Sequence, residues 1–105
     1  MTMETQVVLP EPEPAEMQLE SVLQALGDPM RLQIVRQLHA CHGTKACGTF
    51  GLPVGKSTMS HHLKVMRQSG VIRQRIDGRE RLSELRTADL DKRFPGLLQS
   101  VLAAN

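Results

Sequence analysis

From residue 16 onward the apolar positions recur at three- and four-residue spacing, and the pattern breaks wherever Gly or Pro intervenes. Leu19, Val22, Leu23 and Leu26 predict a helix over 16–26, and Gly27 is its natural stop. Asp28-Pro29 restarts a helix, with Asp28 as N-cap and Pro29 at the first helical position, and Met30, Ile34, Val35 and Leu38 supply its buried stripe. Between residues 41 and 55 the periodicity fails. Gly43, Gly48, Gly51, Pro53 and Gly55 predict a loop, with one helical turn near 49–52. A long helix is expected over 56–69, with Met59, Leu63 and Met66 on its inner stripe, Ser57 as N-cap and Gly70 as stop.

Two short strands, 71–76 and 79–85, then flank Asp77-Gly78, a hairpin signal. Their register stays open, because Ile72, Ile76, Leu82 and Leu85 cannot all share one face across a two-residue loop. Thr87 caps a further helix, and Pro95-Gly96 separates it from a last one whose stripe is Leu97, Leu98, Val101 and Leu102. The result is a mostly α chain with a small β-hairpin, in the order of a winged helix-turn-helix. In that arrangement the second helix of the motif enters a major groove and the hairpin touches the flanking backbone or minor groove.

The outward face of the long helix carries Ser57, Ser60, His61, Lys64, Arg67 and Gln68 and no carboxylate. Cations, hydroxyls and amides can all donate to phosphates and base edges. Lys56, Ser57, Thr58, Ser60, His61, Lys64 and Arg67 are therefore candidates for DNA contact, against the plainer reading of a solvated helix face. His62 sits about 60° from the stripe centre and is expected to pack rather than bind. In the hairpin, Arg73, Arg75, Arg79 and Arg81 are dense for its length. Arg75 and Arg79, beside the tip, are the chosen contacts, while Glu80 and Glu84 can pair some of the others.

The chain has 105 residues, enough for one small domain. Residues 1–15 read as an acidic arm in which Pro10, Pro12 and Pro14 alternate with Glu, extended and expected to be mobile, ahead of a domain over 16–105. The net charge of +2 is modest but unevenly spread. No Lys or Arg precedes Arg31, whereas Lys56, Lys64, Arg67 and the hairpin arginines outweigh Asp77, Glu80 and Glu84. Trp and Tyr are absent, which disfavours stacking on single strands and leaves double-stranded DNA as the better polyanion. No apolar run reaches membrane-spanning length and no signal peptide is visible, so a cytoplasmic location with reduced thiols is expected. No nucleophile, base and oxyanion set points to an enzyme.

The segments Leu26-Gly-Asp-Pro-Met-Arg-Leu-Gln-Ile-Val-Arg-Gln-Leu38 and Ser57-Thr-Met-Ser-His-His-Leu-Lys-Val-Met-Arg-Gln-Ser-Gly-Val-Ile72 resemble, in that order, the second helix and the recognition helix of the ArsR/SmtB family of small bacterial repressors. The resemblance covers roughly residues 19–90. It implies a homodimeric repressor that leaves its pseudo-palindromic operator when an inducer binds or a thiol reacts. The first helix, from Leu19 to Leu26, and the last, from Leu97 to Leu102, are expected to form the dimer surface, being apolar, terminal and unneeded by the motif itself.

His39, Cys41, His42 and Cys47 form the remaining chemical cluster. Thiolates and imidazoles suit soft or borderline ions, so these four are candidate ligands for a metal or metalloid ion, although no cofactor is required. The family's metalloid sensors carry a tight CxC pair at about this place, and Cys41-x5-Cys47 departs from it. Three roles stand for the two cysteines: small buried apolar residues, a redox or electrophile switch, or metal ligands. Asp89 and Asp91 alone do not carry the family's zinc site onto the following helix. The rival functions are a DNA-binding module without its own sensor, and a winged-helix module whose basic face docks an acidic protein.

Overall fold

The computed structural model describes residues 6–104; the first five residues of the expected arm, and Asn105, lie outside them. Among the described residues nine regular elements follow one another. They are β1 (Gln6–Val8), α1 (Leu19–Leu26), α2 (Pro29–Cys41), β2 (Thr44–Ala46), α3 (Lys56–Ser69), β3 (Ile72–Asp77), β4 (Glu80–Leu85), α4 (Thr87–Arg93) and α5 (Leu97–Ala103), with single 3-10 turns at Pro14–Glu16 and Cys47–Thr49. The described residues thus hold five α-helices and a small antiparallel sheet, an order consistent with a winged helix-turn-helix.

Helix boundaries follow from their caps. Asp28 Oδ1 accepts the backbone N–H groups of Met30 (2.8 Å) and Arg31 (3.2 Å), as the Asp-Pro start predicts. Burial alone would push this carboxyl up. The Arg31 and Met30 N–H bonds and the nearby Arg31 charge outweigh it and hold Asp28 below its ordinary value. α1 is shorter than its apolar spacing suggested, because residues 14–16 turn separately, with Glu13 N–H donating to Glu16 Oε1 at 2.8 Å. α3 starts at Lys56 with Gly55 as N-cap, so Ser57 is the second helical residue and not the cap. Thr87 likewise begins α4 from within, behind an N-cap at Arg86.

Gly70 ends α3 in the left-handed region (φ 95°), its N–H bonding Arg67 O at 3.1 Å while Val71 N–H reaches Met66 O at 3.0 Å. The core is aliphatic: Val22 and Ala25 of α1, Ile34, Val35 and Leu38 of α2, and Leu63 and Met66 of α3 meet Val71, Ile72, Leu90 and Leu98.

The sheet holds two strands beyond the expected hairpin, in the order β1-β3-β4-β2, antiparallel throughout. Asp77 pairs Glu80, so the two-residue turn is Gly78-Arg79, one position later than expected, with Gly78 at φ 63°. Ile72 opposes Leu85 and Gln74 opposes Ser83 on the buried face, where Gln74 Nε2 donates to Ser83 Oγ at 3.1 Å. Leu82 opposes Arg75 on the other face and also pairs Ala46 of β2. A polar pair inside and a leucine outside explain why the apolar residues could not set the register.

The arm is corrected most. Its described part is docked: Val7 pairs Ile76, Val8 pairs Arg75, and Leu9 N–H bonds Gln74 O at 2.9 Å. Glu11 accepts three bonds from Arg73, from Nε to both carboxylate oxygens at 3.0 Å and from Nη2 at 2.9 Å. The chain therefore covers the outer edge of β3, which would otherwise present unpaired backbone groups.

Candidate nucleic-acid interface

The long helix is anchored before it is exposed. Leu63 and Met66 are buried against the core, and His62 (8% exposed) lies on the inner side, as its angular position predicted. Arg31 Nη1 lies 3.2 Å from His62 Nδ1, Arg31 Nε donates to Ala25 O at 2.7 Å, and Nη2 donates to Gln24 O at 3.2 Å. Since a guanidinium only donates, His62 Nδ1 is the acceptor and its ring proton sits on Nε2. One arginine thus closes the C-terminal carbonyls of α1 and fixes the seat of α3.

With the inner face held, Lys56, Ser57, Thr58, Ser60, His61, Lys64 and Gln68 are exposed on the other side. α3 contains no carboxylate, no side chain caps its start, and no acid sits in its first turn. Its free N-terminal N–H groups add to the positive character of this end. Arg67 departs from the group. It is half-buried and its Nη1 donates to Gln74 Oε1 at 3.2 Å, tying α3 to β3.

The wing sorts its arginines by environment. Arg79 and Arg81 are exposed at the tip end, whereas Arg75 is half-buried between its strand neighbours Val8 and Leu82. The chosen pair Arg75 and Arg79 is thus divided, and Arg81 is the more accessible partner for Arg79. Arg73 is held by Glu11, chiefly through their hydrogen bonds, which push the guanidinium further up; Asp89 lies 3.5 Å away. Arg86 has only 2% of its side chain exposed and bonds Asp89 Oδ2 at 3.0 Å and Pro12 O at 2.8 Å, with Glu11 3.5 Å away. Sequence reasoning missed this cluster of two arginines and two acids because its members lie up to 78 positions apart, from Glu11 to Asp89. The one available signal was an acid among prolines with no other task.

The candidate sensor residues do not converge. Cys41 is exposed at the end of α2, its Sγ donating to Leu38 O at 3.3 Å. Cys47 is half-buried in the 3-10 turn, and Gln74 Nε2 lies 4.0 Å from its Sγ. Burial pushes the Cys47 thiol up, against smaller opposing effects of Arg81 and Ser83. His39 and His42 stand with ring centres 5.9 Å apart. Among the described residues, no three His, Cys, Asp or Glu side chains come together as a metal-binding group, so His39, Cys41, His42 and Cys47 are not assembled as one.

No helix among the described residues is long and apolar enough to cross a membrane. No protein-family model matches the chain. Over 82 residues it is 32% identical to YceK of Bacillus subtilis (strain 168), described as an uncharacterized HTH-type transcriptional regulator; the alignment spans 76% of this chain and 82% of YceK.

Proposed function

From the premise that this chain belongs to the HTH-type transcriptional regulators, we propose that it is a homodimeric repressor of the ArsR/SmtB type that reads a pseudo-palindromic operator. The observation that carries the reading is the carboxylate-free outer face of α3 beside the exposed wing-tip cations Arg79 and Arg81. α3 enters a major groove with Ser60 and His61 at base edges and Lys64 on phosphate, and the wing tip follows the flanking backbone. Leu19 and Leu23 of α1, 45% and 48% exposed, supply half of the dimer face, and Leu97, Val101 and Leu102 of α5 supply the other half. An inducer, or a reaction at Cys41 or Cys47, releases the operator.

Fluorescence anisotropy on a labelled duplex from upstream of the protein's own gene, over a range of salt, tests this. Lys64→Ala is expected to weaken binding to every sequence and to lower the salt slope by about 0.9. Ser60→Ala and His61→Ala are expected to change sequence preference instead. If none of the three affects operator binding, the helix has been misread. Salt-insensitive, weak binding by the unaltered protein would favour an acidic protein as the partner of the basic face.

A further inference from the structure

A cavity of about 390 Å³ opens between the 3-10 turn at Cys47, the following loop and the first turn of α3. It falls within the ~300–1,000 Å³ range of small-molecule sites. Leu52, Val54 and Met59 line it with apolar surface, and Lys56 and Ser60 stand in its lining on the α3 side. Cys47 contributes a thiol that burial keeps protonated, so this wall is soft and uncharged at neutral pH. Gly48 and Gly55 also line it, and a Cβ on either would meet no atom within 4 Å, so the lining there has room for added bulk. A DNA phosphate can use the cation at Lys56 but has no use for the apolar floor.

We propose that this cavity binds a small organic acid, its apolar body on Leu52, Val54 and Met59 and its carboxylate at Lys56, and that this binding excludes DNA. Charge complementarity selects the acid. Lys56 lines the cavity, and the adjacent start of α3 has neither a side-chain cap nor an acidic residue to neutralise it. Exclusion follows from shared groups, since Lys56 and Ser60 belong also to the face read as the DNA interface. The cavity also touches the wing through Cys47, whose Sγ lies 4.0 Å from Gln74 Nε2, while Gln74 Oε1 accepts from Arg67 of α3. The exclusion rests on the DNA-binding reading above; the ligand site does not.

The chain has no Trp or Tyr, so the emission of 2-naphthoate can be followed without protein background. Titrated with the full chain in the absence of DNA, 2-naphthoate is expected to bind saturably, and uncharged 2-naphthol at least about tenfold more weakly for want of the charge-assisted contact. Gly48→Leu, which adds bulk to the lining, and Leu52→Ser, which makes its apolar wall polar, are each expected to weaken 2-naphthoate about tenfold. Circular dichroism checks that each variant is folded. Duplex is expected to expel bound 2-naphthoate, and 2-naphthoate to release duplex by the same factor. No saturable binding, equal affinity for 2-naphthol, or affinity unchanged in the folded variants overturns the site. Binding that duplex leaves undisturbed overturns the exclusion. Binding of 2-naphthoate by a chain that ignores duplex supports the ligand site and removes the DNA-binding reading.

Discussion

At Gly70 two independent demands meet. The backbone is left-handed, and a Cβ there would lie 2.7 Å from Met17 Cε and 2.8 Å from Met17 Cγ. Gly70→Ala is expected to cost about 1–2 kcal/mol from backbone conformation alone, plus the displacement of a fully buried methionine. A double-mutant cycle with Met17→Ala in urea denaturation separates the two. The combined loss should be smaller than the sum, and simple additivity would show that Met17 yields without cost.

Asp28 makes a complementary test. Asp28→Ala is expected to lose about 1 kcal/mol of stability with its two N–H bonds. Because folding lowers the carboxyl's pKa, its ionic contribution is fully present above the unfolded value near ~3.9 and is lost as pH falls through the lower folded value. Stability measured from pH 7 to pH 2 should therefore fall less in Asp28→Asn than in the unaltered chain over the acid end. Equal acid losses would assign the effect to other carboxylates.

At the scale of elements, the helices were legible and the sheet only in part. Local chemistry decides helices: Asp28-Pro29, the Met59, Leu63, Met66 stripe and Gly70 state start, face and stop within a few turns. β1 and β2 carry no such record, because three-residue strands at Gln6–Val8 and Thr44–Ala46 are too short for an alternation and exist through their partners β3 and β4. The same distinction ran through the site. The exposed face of α3 followed from angular position, whereas the engagement of Arg67 by Gln74 and of Arg73 by Glu11 depended on distant chain.

Glu11 tests whether the docked segment supports the wing. Its carboxylate serves Arg73 and lies beside the buried Arg86. Glu11→Gln is expected to destabilise the fold by about 1 kcal/mol, since the Arg73 donors it weakens are partly exposed and the buried Arg86 keeps its bonds to Asp89 and Pro12. Hydrogen exchange should quicken in β3 and β4 before α2. An unchanged unfolding midpoint would mean that Asp89 alone suffices for both arginines.

For the whole molecule, the proposed assembly makes the sharpest demand. Leu23, 48% exposed on α1, is expected to become fully buried against a second copy. Leu23→Glu should then shift sedimentation to the monomer and reduce operator affinity by at least about tenfold, since half-site binding loses the linkage between two grooves. A variant that stays dimeric would move the interface away from α1. The monomer itself should keep its fold, because Leu23 lies outside the buried core.

The pairing of Gln6–Val8 with β3 and the bond from Arg86 to Pro12 O join stretches of chain about 70 positions apart. β1 can pair only when β3, about 70 positions later in the chain, is in place, whereas α1 and α2 are neighbours in sequence and can pack locally. Closure of the wing's outer edge by β1 is thus expected to be a slow step of folding, limited by bringing distant stretches of chain together.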